Sequence, residues 1–556
     1  MKHVFGKSIR GAVAIFFLCL LMGPLPAWAA GLQVVDSHYK PVVLVKDSPL
    51  PGCNGAVIGQ DGALYIVHTA TGATTRVDLK TMKASTFVQP YSGTFITDDI
   101  TADDKGNLYI TGTTPLIGEV YRIDKNGVKT VIASGLKAPN GIQYNKKTGR
   151  LFMTECFQGN RVFEVDPAGA KPPRLMIKEN VIPVPEGFGF DMETNDLIVP
   201  DLGSGKILRI HPDTAEITTI AEKFVTPVAL KVGPDNKAYI VELGTGNVWR
   251  MSLDGKQKDK LAQIAPGLDN LAITPAGKLY VTSYWDATVF EVSTDGSGKY
   301  KTLFPKGPNQ PQGVVAMQGK VYLSDAIMVR IADKGKWVQT KLNAWAHHGM
   351  PLTLGLAKGP GGQLCWPDVI NGAVAIGNPA TGEFKPVAGG LNQPFGVIMV
   401  GDKLYVCEYG AGQVTEISLK DGAKKAVADG LEGPLALTMI GGMLYVAEPR
   451  AGRVSRVDPA TGKKEVFVVG LAGRPGALAD DGSGNLLILD GAAGRLLRVN
   501  PRNLAVSMVA VNLPVNYAVI GSYPPIEFPL PMDVDEKGNI YLTTSGRGLI
   551  QLKKAK

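Results

Sequence analysis

The chain has 556 residues, more than a single domain of roughly 100–200 residues requires, and 45% of them are hydrophobic against only 19% charged, with 67 glycines. That balance excludes a disordered or coiled-coil chain and points to a turn-rich β protein. The formal net charge of +8 is small for this length, and no basic run with interleaved aromatics occurs, so neither a nucleic-acid groove nor a membrane-binding helix is expected.

At the start of the chain Lys2, Lys7 and Arg10 precede the apolar run 12–18, and Ala27-Trp28-Ala29 supplies a small-residue cleavage signal. Residues 1–30 therefore read as a signal peptide. The apolar run is too short for a membrane anchor, and Pro24 and Pro26 interrupt it, so no membrane span is expected after cleavage. Losing the leader takes the net charge from +8 to +5. The destination implied is the periplasm or the extracellular space. Four cysteines remain, Cys53, Cys156, Cys365 and Cys407, too scattered for a metal knuckle and too few for a disulfide scaffold, although export permits disulfides.

Beyond the leader the sequence repeats about every 42 residues, a period typical of propeller blades. In one unit Asn140-Gly141-Ile142-Gln143-Tyr144 reads as an inner strand, Leu151-Phe152-Met153-Thr154-Glu155 runs back, Arg161-Val162-Phe163-Glu164-Val165 gives a third strand and Arg174-Leu175-Met176-Ile177 a fourth. Each run is short, rich in β-branched and aromatic residues and bounded by turn formers, as hairpin-connected strands are. Twelve units fit, with inner strands starting near Asn54, Asp98, Asn140, Glu186, Val228, Asp269, Gln312, Leu354, Phe395, Leu435, Gly476 and Leu530. The fold class predicted is all-β: two tandem six-bladed propellers of four-stranded antiparallel blades, since one ring of twelve exceeds the usual four to eight. Seven plus five blades is the alternative division.

Residues 41–48 read as an outer strand preceding the first full unit, and the last unit stops after Gly548-Leu549-Ile550-Gln551-Leu552 without a fourth strand of its own. An open edge needs a partner. The expectation is that 41–48 closes the first ring and Tyr300-Lys301-Thr302-Leu303-Phe304 closes the second. That places one propeller at 31–300 and the other at 301–556. The longer interval between Gly476 and Leu530, containing Tyr517, Tyr523, Pro524 and Pro525, reads as an elaborated connection or a lid.

The starts of inner strands point to a propeller's axis, so equivalent repeat positions form a ring. In the first half that ring reads Asn54, Asp98, Asn140, Glu186, Val228 and Asp269; in the second it reads Gln312, Leu354, Phe395, Leu435, Gly476 and Leu530. The apolar second ring shows that the repeat does not itself demand polar groups there. Three converging carboxylates repel one another and raise their pKa values unless something compensates them. Carboxylate and amide oxygens without thiolate or imidazole suit a hard divalent cation, Ca²⁺ first, with Mg²⁺, Mn²⁺ or Zn²⁺ as other occupants. A water-filled polar channel is the alternative.

The motifs Pro139-Asn140-Gly141-Ile142 and Pro185-Glu186-Gly187-Phe188, with the repeated D-x-x-G-x-L-Y-[IV], resemble the senescence marker protein-30/gluconolactonase family over the first half; the repeats are shared with NHL-type propellers. The resemblance implies a six-bladed propeller with a central divalent metal, hydrolysing a lactone or related ester. It implies Glu186 as a metal ligand, Asn140 or Asn54 as the amide ligand, and Asp98 or Asp269 as the Asp that is both ligand and general base, Asp98 being the residue expected to accept the proton. The Glu heads the fourth unit here rather than the first, so the rings match only after rotation. Asp99, by strand alternation, is expected on the opposite face supporting a loop.

Two further readings stand beside this one. A virginiamycin B lyase-like activity would need histidine, and only His68 and His211 fall among the first half's strands. A non-catalytic protein could instead hold a small molecule or a protein partner on the propeller loops. Glu155, Asp201, Glu242, Asp325, Asp368, Glu408, Glu448 and Asp490 end second strands in both halves and read as structural, accepting turn N–H groups or meeting Arg161, Arg450 or Arg453. His347-His348 reads as surface packing, and Cys53 as an inert buried thiol.

Overall fold

The computed structural model describes residues 31–555 apart from 51, 70, 91, 93–96, 114–116, 310, 326, 344–352, 354, 370, 472–473, 516–529 and 546–547. The leader, Leu354, His347-His348 and the extra length holding Tyr517 and Tyr523 lie outside the described residues. The protein is all-β: among the described residues there are twelve antiparallel sheets and only two single-turn helices, Pro360–Gly362 and Pro449–Ala451. Eleven sheets have four strands, and one gains a fifth from Gln33–Val34 beside Val506–Val511.

The chain divides into two compact units, one of residues 48–309 and one formed by 31–47 with the residues after 310. In the first unit the innermost strands neighbour one another in sequence order. Thr97–Ala102 lies between Cys53–Ile58 and Pro139–Asn145, Gly189–Phe190 lies against Pro227–Val232, and Leu268–Ile273 lies against both Pro227–Val232 and Cys53–Ile58. In the second, Pro311–Met317, Ala357–Lys358, Pro394–Val400, Ala436–Ile440, Pro475–Asp480 and Met532–Val534 follow one another, and the last returns to the first.

Burial explains the strand composition. Inner and second strands are sandwiched between neighbouring sheets, so Leu151, Phe152 and Met153 are all buried on successive positions, whereas the outer Lys258–Gln263 buries only Leu261 and Ala262. Each core lies between adjacent sheets, as where Tyr109, Val120 and Ile132 meet Ile142, Leu151 and Met153. A fully buried Leu, Ile or Phe contributes roughly 1.5–3 kcal/mol. The D-x-x-G-x-L-Y motif is a turn device. Asp103 accepts the N–H groups of Lys105 (2.8 Å) and Asn107 (2.9 Å) and the Tyr109 hydroxyl (3.0 Å), with Gly106 at φ 84°. Asp535, Gly538 and Tyr541 repeat it.

The closing strands differ from expectation. Tyr39–Val45 pairs with Leu549–Lys554, Val42 opposite Gln551, and so completes the last sheet of the chain. Tyr300–Thr302 pairs with Thr288–Val292 and completes its own sheet, not the next unit's. A hairpin through Asp295 closes that sheet locally, which leaves the N-terminal strand for the one edge without a nearby partner. Residues 31–47 thus belong with the later unit, and the earlier one runs on to 309.

Candidate functional site

A recurrent irregularity builds the centre of the 48–309 unit. The ladder between first and second strands slips between Cys53 and Ala56, Thr97 and Ile100, Pro139 and Ile142, and Leu268 and Leu271. Each slip is a β-bulge, which bends the strand and re-aims its side chains. In three sheets the N–H freed by the bulge is taken by a threonine of the second strand: Asp99 N–H by Thr111 Oγ1, Gly141 N–H by Thr154 Oγ1 and Asn270 N–H by Thr282 Oγ1, each at 3.0 Å. A Cβ on Gly141 would stand 2.8 Å from Glu186 O, so glycine there lets neighbouring inner strands approach.

Of the five polar residues singled out from sequence, Asn54, Asp98, Asn140 and Asp269 take the second position of these strands. Asn54 is 4% exposed; its Nδ2 donates to Thr69 Oγ1 at 3.1 Å, while its buried Oδ1 has no partner. Asn140 is buried, and its amide next to Glu186 works against the rise of that carboxyl. Glu186 is 2% exposed and precedes Gly189–Phe190, anchored by bridges at Pro185 and Gly187. Burial, followed by the charges of Asp98 and Asp269, pushes its carboxyl well above the usual range. Asp98 is likewise raised by burial, then by Asp269 and Asp99. Asp269 rises to about 7, from burial and then Asp99, and its Oδ2 has no partner. Asp98, Glu186 and Asp269 thus share one electrostatic environment.

Directly beneath lies a layer that the alternation argument misplaced. Asp99 does not support a loop: it is fully buried, its Oδ2 accepting Lys231 Nζ at 2.9 Å and Ile142 N–H at 3.1 Å, its Oδ1 accepting Asn270 Nδ2 at 2.9 Å and Ile100 N–H at 2.8 Å. The bulge between Thr97 and Ile100 defeats simple alternation and turns Asp99 inward with Asp98. One carboxylate so ties strands of four sheets together. Lys231 also lines a cavity of about 450 Å³ with Ala56, Thr101, Gln143, Phe190 and Leu271. The signals for this layer were a carboxylate beside the ring position and a lysine inside an apolar strand.

The donor set fits a hard cation in its chemistry: all oxygen, negatively charged, with the Asn54 and Asp269 acceptors unsatisfied. It is not assembled into a cage, for among the described residues no three His, Cys, Asp or Glu side chains are grouped closely enough to hold a metal ion. Histidine does not join it. His68 Nε2 meets Thr75 Oγ1 at 2.7 Å, and His211 Nδ1 accepts turn N–H groups of Asp213 and Thr214. Cys53 donates to Thr288 O at 3.2 Å, and burial pushes its thiol far up. The four cysteines among the described residues are free and buried.

The carboxylates ending second strands are structural. Glu155 pairs with Arg161 and takes Lys137 N–H at 2.6 Å, Asp201 takes Val184 N–H at 2.9 Å, and Glu242 takes Val225 N–H at 2.6 Å. In the other unit Asp325 meets Arg330, Asp368 takes Asn371 N–H, Glu408 takes Asn392 N–H, Glu448 meets Arg453 and Asp490 meets Arg495. Arg450 differs from expectation, donating to the Tyr409 hydroxyl at 2.9 Å. The apolar ring there appears as Phe395 and Leu435 packed with Tyr409, and Leu530 against them.

No family model matches the chain. A gluconolactonase of Zymomonas mobilis is 24% identical over 171 residues, covering 26% of this chain and 48% of its own length, so the chain spans about half of the curated relative it matches. Among solved structures, a GH74 xyloglucanase of Xanthomonas campestris is 13% identical over 92% of this chain and 99% of its own, with a TM-score of 0.50. A virginiamycin B lyase of Staphylococcus aureus is 17% identical over 51% of this chain and 94% of its own, with a TM-score of 0.38. At these identities the likeness is one of fold: the chain is an all-β protein of the β-propeller kind.

Proposed function

We propose that each unit is a six-bladed propeller and that the protein is an exported, periplasmic or extracellular hydrolase of a lactone or related ester, acting at the centre of the 48–309 unit. The observation carrying this reading is the mutually repelling set of half-buried Asp98 and Asp269 with buried Glu186, beside Asn140 and Asn54, with two acceptors left open. The likeness to a gluconolactonase supports the substrate class. Glu186, Asp269, Asn140, Asn54 and Asp98 would hold a divalent cation, Ca²⁺ first. Such an ion, when bound, supplies polarisation of a carbonyl oxygen and acidifies water.

The residues' own work follows from their charges. Asp98 takes the proton of the water that attacks the carbonyl and returns it to the departing ring oxygen; burial, then the charges of Asp269 and Asp99, raises its carboxyl and strengthens it as a base once ionised. Glu186, beside Asn140 and with its carboxyl raised by burial and by Asp98 and Asp269, is assigned the role of cation ligand. Asp99, with Lys231 and Asn270, keeps the inner strands in register below the reacting atoms.

The test is Ca²⁺ content and δ-gluconolactone hydrolysis of the mature protein beside Glu186→Gln and Asp98→Asn. The expected outcome is stoichiometric Ca²⁺ in the wild type, lost in Glu186→Gln, and hydrolysis reduced roughly 10²-fold or more by Asp98→Asn. Protons compete with the cation for Asp269, so affinity should rise with pH through about 7. A wild type that neither binds the ion nor opens the lactone removes this reading. The second reading, a non-catalytic protein holding a small molecule or a protein partner on its loops, would then stand. It is favoured by the lack, among the described residues, of a ready-grouped metal set.

A further inference from the structure

The inner strands of the second unit line a cavity of about 340 Å³ that no side chain of the described residues fills. Its origin is visible one residue beyond each ring position. In the 48–309 unit this level carries Asp99 and Asn270, Asn270 Nδ2 donating to Asp99, which pairs with Lys231. In the other unit the same level is Gly313, Gly355, Gly396, Ala436, Ala477 and Pro531, all lining the cavity. The inner strands are equally close in both units: a Cβ on Gly313 would stand 2.4 Å from Leu356 N, and one on Gly396 2.6 Å from Leu435 O. Close backbones with no side chain between them leave the axis open.

The cavity is partly open to solvent and falls at the lower end of ligand pockets, about 300–1,000 Å³. Val314, Val397, Leu437, Leu478, Met399 and Met439 give it apolar walls, and unbranched methionines adapt to a guest's shape. Phe395, Leu435 and Leu530, which line the cavity, pack with Tyr409. There Gln312 Oε1 is buried without a hydrogen-bond partner, an acceptor waiting for a donor.

Along one wall Lys358 Nζ reaches Asp533 Oδ2 at 3.2 Å and Val534 O at 2.9 Å, and Asp533 also accepts Ala316 N–H at 2.8 Å. An ammonium has three N–H donors, so one remains beyond these two acceptors. Asp480 also lines the cavity, so the polar stations sum to one cation and two carboxylates. That balance disfavours an anionic head group and suits a neutral group that both donates and accepts.

We propose that this cavity binds a neutral, mainly aliphatic small molecule carrying a hydroxyl group, its chain along the methionine-lined walls and its hydroxyl on Gln312 Oε1 or the Lys358–Asp533 pair. The site is independent of the carboxylate centre and of the hydrolase reading.

The test titrates the full mature chain with n-octanol and, separately, with octanoate, by calorimetry and by shift in melting temperature. Octanol is expected to bind at one site per chain and to raise the melting temperature, and octanoate to bind at least tenfold more weakly. Met439→Trp, which fills the cavity, should abolish octanol binding, and Gln312→Leu or Lys358→Met should weaken it severalfold. Should Met439→Trp fail to fold, the octanol-to-octanoate ratio and the two polar variants still decide. No octanol binding by the wild type, equal binding of octanoate, or binding indifferent to every variant would each overturn the proposal and leave a cavity holding only water.

Discussion

Asp99 and Lys231 form an ion pair at 2.9 Å with side-chain exposures of 0% and 9%. A buried pair is weak evidence of net stability, because desolvation offsets the attraction, yet removing one partner strands the other. Asp99→Ala should therefore lower stability by about 3–5 kcal/mol, and adding Lys231→Met should recover much of the loss. Urea titrations of the wild type, the single variant and the double variant measure this. A double variant as unstable as Asp99→Ala would mean that Asp99 acts through its bonds to Ile100, Ile142 and Asn270 instead. The same residue shows where a local rule stops. Asn54, Asp98, Asn140, Glu186 and Asp269 were legible as a set because each opens a repeat, whereas Asp99 was sent to the wrong face because alternation takes no account of a bulge.

At the scale of elements, the N-terminal strand is the most informative. Tyr39–Val45 has Val42 and Val43 exposed, yet it supplies the outer edge of the sheet ending in Leu549–Lys554. Loop-closure entropy grows by about 0.6 kcal/mol per doubling of length, so a partner some five hundred residues away costs about 3–4 kcal/mol more than one about ten residues away, which the seven-residue pairing has to offset. Arg498 adds to the anchorage, meeting Asp36 and, at 3.0 Å, Asp481. Deleting residues 31–47 should expose the Leu549–Lys554 edge, lower the melting temperature of the later unit and promote association. Light scattering and differential scanning calorimetry check this; an unchanged thermogram would show that the strand is dispensable. Sequence identified both closing strands but exchanged their partners, because pairing strength alone does not say which edge is left open.

At the scale of the molecule, all six sheets of the 48–309 unit are completed by consecutive segments, the last by Tyr300–Thr302. No strand from elsewhere is required. A fragment of residues 48–309 should therefore fold alone, with cooperative unfolding by circular dichroism and with whatever Ca²⁺ response the intact chain shows. The remaining unit, expressed without 31–47, should fail that test. A 48–309 fragment that is molten or insoluble would show that its stability depends on the rest of the chain.

The sequence by itself determined the all-β class, the repeat of four-stranded antiparallel sheets and which residues open each repeat. All of these rest on patterns a few residues long: period-two strands, turn aspartates and glycines, and a polar position recurring once per unit. Tertiary structure alone decided that Tyr39–Val45 closes the last sheet, that Asp99 meets Lys231 on the axis, and that the second unit is hollow at that level. Those outcomes depend on which groups from distant sheets converge on one axis, and convergence is set by backbone bulges and by the packing of whole sheets, not by any residue's neighbours in the chain.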